Sequence, residues 1–202
     1  MGYTHYWRRE KDITLSLMKL ILDDFDKTLP ELLKVVDLAG WDGTGESDIT
    51  IALVSFNGKT NCGHPENNLG IPWPSDNASG IANPYDENPV AGDWFGGATL
   101  NKRACDGDCA HETFSFPRIM WIDKWQRPEN GLYLEFCKTA FKPYDLAVIT
   151  FLTIAKHHMK DRLIVGSDGN DSHWIDGKRL CQMVLGYGLD FRFIEGQLCR
   201  AI

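Results

Sequence analysis

The chain has 202 residues, of which 43% are hydrophobic and 24% are charged. These values are typical of a globular domain and exclude a chain that is disordered throughout. The formal net charge is -7, and no long run of lysine and arginine is present. Nonspecific binding to nucleic acid or to an anionic membrane needs clustered basic residues, so the composition disfavours both kinds of partner. A small anionic ligand is not excluded, because one local pocket can oppose the global charge.

The N-terminal segment contains several charged residues and lacks the apolar core of a secretory signal. The longest apolar stretch, Leu146 to Ala155, is too short to span a bilayer. We therefore expect a cytoplasmic protein. In that compartment the six cysteines are expected to be reduced thiols or metal ligands rather than disulfides.

Hydrophobic periodicity predicts the elements of the first two thirds of the chain. Tyr3 to Arg8 predicts a short strand, and Asp12 to Phe25 predicts a helix because its apolar residues recur three and four positions apart. The segment from Thr28 to Glu31 has the form of a capping box with a proline, which predicts a second helix or a kink. Three strands are predicted next, at residues 49–56, 111–121 and 132–137.

The last third predicts a buried helix, a strand, a second helix and a final strand. Tyr144 to His158 is apolar almost all round and follows a proline suited to a first helical turn. Arg162 to Gly166 predicts a strand, and Asp171 or Ser172 is suited to cap a helix that runs to Leu185. A short strand is predicted at residues 191–194. The order of elements predicts one α+β domain over residues 1–202, with helices packed on a mixed sheet.

Residues 57–110 interrupt the predicted strands as a long irregular insertion within this domain. The insertion holds 5 of the 9 prolines and 8 of the 19 glycines and has no sustained period. A loop of this length in a compact domain needs a specific reason. Its aromatic residues favour either attachment of the loop to the domain or stacking on a base or sugar. They are Trp73, Tyr85, Trp94 and Phe95.

Cysteines and histidines stand at both ends of this insertion. Cys62-Gly-His64 opens it, and Cys105-Asp-Gly-Asp-Cys109 closes it. Thiolates and imidazoles are the preferred ligands of zinc, so Cys62, His64, Cys105 and Cys109 predict a structural zinc site that closes the loop. The spacing leaves two alternatives open, namely a disulfide from Cys62 to one of the other cysteines and a set of unlinked thiols.

Polar residues also stand where predicted strands end. Lys138, Thr139 and Lys142 precede a predicted helix, whose free N–H groups and dipole favour a phosphate or carboxylate. The alternative is that both lysines are solvated and Thr139 is a turn residue. His111 beside Glu112 is suited to acid–base chemistry, although neighbouring strand residues point to opposite faces. His111 is also a fifth candidate metal ligand.

Several motifs together resemble one group of small proteins. The motifs are MGYTHYW at the start, FNG at residues 56–58, HETF at 111–114, FCKTAFKPYD at 136–145 and SDG at 167–169. They are similar to uncharacterised proteins of bacteria, phages and fungi that begin with MGYTHYW, and the resemblance covers most of the chain outside the insertion. The cysteine-rich insertion resembles the fungal branch. The resemblance implies that its cysteines are a local structural device, and it names no reaction.

The resemblance further implies that the polar residues of these motifs converge on one pocket. These residues are His5, Asn57, His111, Thr113, Lys138, Thr139, Lys142, Asp145, Ser167 and Asp168. Lys138 and Lys142 are predicted to hold an anionic group. His111 and Asp168 are the candidate catalytic residues. His111 is expected to act as an acid–base group or a hydrogen-bond donor, and Asn57 and Asp168 are expected to orient the ligand.

Two functions follow as hypotheses. The first is a zinc-containing domain that binds or acts on a small anionic, nucleotide-like ligand. The alternative is a non-enzymatic interaction protein whose zinc-held insertion presents Trp73, Trp94 and Phe95 to a protein partner. A zinc hydrolase is disfavoured because four protein ligands leave no coordination position for water.

Overall fold

A computed structural model describes residues 3–63, 103, 105 and 107–201. Within these residues the helices are α1 (Leu15–Leu32), α2 (Asp145–Met159) and α3 (Ile175–Leu185), with a short 3-10 helix at Lys160–Arg162. The strands are β1 (Thr4–Arg9), β2 (Leu38–Ala39), β3 (Asp48–Ile49), β4 (Leu53–Gly58), β5 (Phe114–Pro117), β6 (Tyr133–Lys138), β7 (Leu163–Ser167), β8 (Phe191–Ile194) and β9 (Gln197–Arg200). The predicted α+β fold class is confirmed.

A five-stranded antiparallel sheet with the order β6-β1-β7-β9-β8 forms the centre of the fold. In this sheet β1 lies between β6 and β7, with His5 opposite Cys137 on one side and Ser167 on the other. His5 and Trp7 are fully buried on one face, whereas Tyr6 on the opposite face is 37% exposed. Side chains alternate between the faces of a strand, so His5 points toward the helices rather than toward solvent.

The remaining strands form a second antiparallel group around β4. One edge of β4 pairs with β2 and β3, and the other edge pairs with β5. Phe56 of β4 lies opposite Phe114 of β5, and their ring centroids are 4.9 Å apart. The ring centroid of Phe114 also lies 5.3 Å from that of Phe151 in α2. These aromatic contacts join the second sheet to the helical core, since such rings bury a large apolar area.

The single strand expected at Ile49–Phe56 is wrong, because the structure divides this segment into β3 and β4. The backbone N–H of Thr50 donates to the oxygen of Leu53 at 2.8 Å, and Leu53 donates back at 3.2 Å. A tight turn therefore joins the two strands, and Ile51 within it is 39% exposed. Apolar composition alone cannot separate a continuous buried strand from a hairpin with apolar turn residues.

Thr14 is the N-cap of the helix α1, and its Oγ1 accepts a hydrogen bond from the N–H of Leu17 at 3.3 Å. It runs through Pro30 to Leu32, so the capping box expected at Thr28 does not start a new helix. The hydroxyl of Thr28 instead donates to the oxygen of Phe25 at 2.7 Å. A buried Thr hydroxyl can bond back to the preceding turn inside a helix, and this competes with its use as a cap.

The helix α2 is buried along almost its whole length, as its all-round apolar pattern predicts. The helix α3 begins after Trp174, and neither Asp171 nor Ser172 caps it. Asp171 instead accepts from the Lys178 ammonium at 2.6 Å and from the N–H of Phe193 at 2.9 Å. None of the described helices is long and apolar enough to cross a membrane.

The predicted strand at Phe191–Ile194 is confirmed as β8, which forms a hairpin with β9. Glu195 and Gly196 connect the two strands and both have positive φ, at 51° and 76°. Two consecutive residues of this kind make a turn whose twist matches the hairpin. The sequence pattern did not predict β9, because this strand contains few apolar residues and follows β8 after a turn of only two residues.

We expect Thr14→Ala to lower the free energy of unfolding by about 1 kcal/mol, because the mutation removes the N-cap of α1. Chemical denaturation monitored by circular dichroism measures this difference. Ser16→Ala is the matched control, since Ser16 is exposed and caps no backbone N–H of α1. An equal loss of stability in both variants would contradict the assigned role of Thr14.

Candidate functional site

The two ends of the insertion lie side by side, because β4 precedes it and β5 follows it as an antiparallel pair. The N–H of Cys109 donates to the oxygen of Lys59 at 3.1 Å. Gly58 allows this approach, since a Cβ at that position would lie 1.9 Å from the oxygen of Cys109. We call these adjoining segments, residues 57–63, 105 and 107–113, the neck of the insertion.

Three cysteine thiols meet at the neck, and we call Cys62, Cys105 and Cys109 the thiol cluster. The Sγ of Cys62 is 3.4 Å from that of Cys105, which is 3.3 Å from that of Cys109. All three sulfur atoms lie within 4.8 Å of one another. A disulfide needs a sulfur separation of about 2.05 Å, whereas Zn–S bonds of about 2.3 Å allow tetrahedral ligands to lie a little under 4 Å apart. The thiol cluster is therefore a possible metal site.

Burial controls the chemistry of these thiols. Cys105 and Cys109 are 1% and 4% exposed, and burial raises the pKa of both thiols above the usual range. A buried thiolate needs a compensating cation, and a coordinated metal ion supplies one by displacing the thiol proton. The predicted fourth ligand, His64, lies outside the described residues. His111 is engaged elsewhere, because its Nδ1 is 2.7 Å from the backbone oxygen of Lys138.

A buried polar network connects Arg103, which lies two residues from Cys105, with β1 and the first turns of α2 and α3. Its members are His5, Arg103, Thr139, Asp145 and Asp176, each at most 1% exposed. The Nε2 of His5 and the hydroxyl of Thr139 both lie 2.6 Å from Oδ1 of Asp145. Arg103 forms ion pairs with Asp145 at 3.4 Å and with Asp176 at 3.2 Å. One guanidinium group therefore joins the first turns of α2 and α3.

Electrostatics hold the centre of this network in its charged form. Burial by itself would raise the pKa of Asp145, but His5, Arg103 and Thr139 outweigh it and lower the pKa below the usual value. The carboxylate of Asp145 is therefore ionised and accepts a hydrogen bond from Nε2–H of His5. The guanidinium of Arg103 also lies over the ring of Phe141 at 4.5 Å, which is a cation–π contact.

The ring of His5 lies in an aromatic enclosure. Tyr3 and Trp174 each contact it edge-on, with ring centroids 5.0 Å away. The Nδ1 of His5 and the Nε1 of Trp174 are buried and make no hydrogen bond in the described part of the chain. The Nε2 of His5 is the ring nitrogen that faces Asp145, so Nδ1 is the nitrogen that this contact leaves without a partner. The structure thus brings three of the predicted pocket residues, His5, Thr139 and Asp145, into one contact.

Asn57 has a different environment, at the neck. Its side-chain amide donates to the oxygen of His111 at 2.9 Å and to the hydroxyl of Thr113 at 3.2 Å. Its Oδ1 accepts from the N–H groups of Gly58 at 2.8 Å and His111 at 3.0 Å. Thr113 in turn donates to the oxygen of Trp41. Asn57 and Thr113 therefore join backbone segments, a role typical of buried polar side chains.

The two lysines predicted to hold an anion are not equivalent. The ammonium of Lys142 donates to the oxygen of Asp108 at 2.6 Å, so it contacts the neck. Lys138 contributes its backbone, whose N–H donates to Glu112 at 2.8 Å. The side chain of Glu112 is thus hydrogen-bonded to β6 rather than paired with the adjacent His111 ring.

Ser167 and Asp168 connect the end of β7 to β1. Asp168 accepts from the N–H of Thr4 at 3.0 Å and from the hydroxyl of Tyr6 at 3.2 Å. Ser167 accepts from the N–H of Gly169 at 3.0 Å. Within the described residues no hydrogen bond or ion pair joins Asp168 to His111, the other candidate catalytic residue. The predicted pocket residues therefore divide among several places rather than one.

Comparison with protein-family models, curated proteins and solved structures found no match. The thiol cluster and the buried polar network are consequently interpreted from their own geometry. Arg103 and Asp176 belong to no motif that the sequence singled out. The one signal available for Arg103 was its position two residues before Cys105.

We expect Arg103→Met to lower the free energy of unfolding by about 3 kcal/mol. The substitution keeps a long side chain but leaves the buried Asp145 and Asp176 without their shared cation, and such a loss typically costs this much. Equilibrium denaturation in urea measures the effect. Arg162→Met is the matched control, because Arg162 is exposed. A change within about 0.5 kcal/mol for both variants would contradict a supporting role for Arg103.

We also expect Gly58→Ala to weaken the neck. The added methyl group would collide with the Cys109 oxygen, so either β4 or the segment carrying Cys109 must move. The expected result is a lower melting temperature, measured by calorimetry, together with faster reaction of the cluster thiols with a thiol reagent than in the wild-type protein. Unchanged stability and unchanged thiol reactivity would show that the close approach is not needed.

Proposed function

We propose that this chain is a zinc-binding protein in which the thiol cluster holds a structural Zn²⁺ ion at the neck of the insertion. The observation that supports the proposal best is the convergence of Cys62, Cys105 and Cys109, whose sulfur atoms lie within 4.8 Å of one another. Two of these residues come from one end of the insertion and one from the other. A metal ion bound by all three would join the two ends.

The chemistry of the donor set favours zinc. Thiolate ligands with a tetrahedral arrangement are typical of structural zinc sites, and His64 is the fourth ligand that we propose from its spacing. Four protein ligands leave no position for a reacting water molecule, so the proposed role is structural. Closing a long loop at its base restricts the unfolded chain and offsets part of the cost of ordering the loop.

The position of Arg103 gives this metal a further structural consequence. Arg103 precedes Cys105 by two residues and is 1% exposed. A metal that fixes Cys105 also fixes the backbone from which Arg103 reaches Asp145 and Asp176. We therefore propose that the metal supports the buried polar network as well as the neck.

The test is native mass spectrometry of freshly purified, untagged protein beside its denatured mass. We expect a native excess equal to one zinc ion, which Cys105→Ser removes. Cys199→Ser is the matched control, since Cys199 lies outside the thiol cluster, and it should retain the metal. A native mass equal to that of the bare chain would contradict the proposal. A denatured mass lower by two hydrogens would instead indicate a disulfide.

The two other hypotheses from the sequence stay predictions. The small anionic ligand was expected at Lys138 and Lys142, and a double Lys-to-Ala substitution should abolish its binding if that site exists. The interaction hypothesis depends on Trp73, Trp94 and Phe95, which lie outside the described residues. Membership in the MGYTHYW group likewise stays a proposal, supported by the sequence motifs.

A further inference from the structure

A cavity of about 470 Å³ lies at the C-terminal end of α2, where the 3-10 helix, β8 and β9 meet. Its volume is within the usual range for pockets that bind small molecules. The residues that line it are Lys156, His157, Lys160, Asp161, Phe191, Cys199 and Arg200. None of them belongs to the insertion or to the pocket predicted from the sequence. We call this space the cationic cavity.

Charge distinguishes the cationic cavity from the rest of the protein. Lys156, Lys160 and Arg200 line it, against the single carboxylate of Asp161. The whole chain has a formal net charge of -7, so this lining opposes the overall sign. A local excess of cations raises the concentration of small anions near a site and favours their binding.

Lys156 is positioned rather than free to move. Its ammonium donates to the backbone oxygens of Lys160 at 3.1 Å and Leu163 at 2.8 Å. An ammonium group has three donors, so one N–H remains for a ligand. Lys156 is half-buried, and this burial lowers the pKa of its amine. Fixing the amine before binding reduces the entropy that a ligand contact would cost.

Lys160 and Arg200 supply further donors from different elements. The side chain of Lys160 makes no hydrogen bond or ion pair within the described residues. Arg200 comes from β9, and its Nε is paired with Asp190 at 2.6 Å. A guanidinium group has five N–H donors in a planar fork, so this pair leaves donors that suit a phosphate or carboxylate.

The apolar part of the cavity has its own geometry. Phe191 is 2% exposed and lines one side. The ring of His157 lies stacked on Tyr187 at 3.6 Å, and burial lowers the pKa of His157, which favours the neutral ring. The Nδ1 of His157 is buried and makes no hydrogen bond in the described part of the chain. Phe191 and the Nδ1 of His157 are therefore already covered by the protein, and an organic ligand would instead meet the accessible part of the half-buried His157 ring.

A simpler account is that the basic residues offset the dipole at the end of α2, where cations are favoured. That account is sufficient for Lys156, whose amine bonds to carbonyl groups beyond the last turn. It does not account for Arg200, which lies on a strand and is paired with Asp190, or for the cavity beside these cations. A bound anion would account for the cations and the cavity together.

We propose that the cationic cavity binds a small organic anion, with its phosphate or carboxylate group on Lys156, Lys160 and Arg200 and its apolar part beside the half-buried ring of His157. The proposal does not depend on the metal site. The anionic group would displace water from three cations that line one cavity. The apolar part of the ligand would cover the accessible part of the His157 ring.

Isothermal titration calorimetry with phenyl phosphate as the probe tests this proposal, beside inorganic phosphate and phenol. We expect saturable binding of phenyl phosphate, weaker binding of inorganic phosphate and none of phenol. Lys160→Gln and Arg200→Gln should each weaken phenyl phosphate about tenfold, which corresponds to about 1.4 kcal/mol. Lys11→Gln is the matched control, because Lys11 is exposed and lies outside the cavity.

Circular dichroism and the melting temperature establish that each variant is folded. Absence of saturable binding by the wild-type protein would overturn the proposal. Equal weakening in Lys11→Gln would also overturn it, because the effect would then reflect net charge. Equal binding of phenol and phenyl phosphate would show that the cations do not recognise the ligand, with the same consequence.

Discussion

The carboxylate of Asp145 lies fully buried at the first turn of α2, and the surrounding structure must keep it charged. His5, Thr139 and Arg103 supply the hydrogen bonds and the positive charge that make this possible. A buried carboxylate without such partners would cost several kcal/mol or take up a proton. The central strand β1, the helix α2 and Arg103 of the insertion are therefore linked through one charge.

This constraint gives the insertion a structural role in the domain. Arg103 comes from the insertion, yet it also contacts Asp176 in the first turn of α3. The two helices thus share a cation that the chain delivers from a distant loop. Cys105 of the thiol cluster lies two residues beyond Arg103. A metal bound to Cys105 would therefore limit how far the guanidinium can move. The metal and the ion pairs are therefore expected to stabilise each other.

The elements with strong local patterns were predictable. The all-round apolar pattern of α2 and the apolar run of β8 identified both, and the cysteine spacing indicated where the thiols of Cys62 and Cys109 meet. Arg103 was not predictable, because a charged residue in an irregular loop is usually solvated and its burial depends on contacts far along the chain. Asn57 was expected to orient a ligand, but its side-chain amide is already hydrogen-bonded to backbone groups at the neck. Sequence patterns do not report such competition for partners.

The most direct test of the account is the stability cost of Arg103→Met, measured once with metal-loaded protein and once after zinc chelation. Interacting groups show non-additive effects, typically of 0.5–3 kcal/mol. The account predicts that the substitution costs clearly more in the metal-loaded protein, since the metal then fixes the backbone from which the guanidinium reaches Asp145 and Asp176. An equal cost in both states, within about 0.5 kcal/mol, would contradict the proposed coupling between the metal site and the buried polar network.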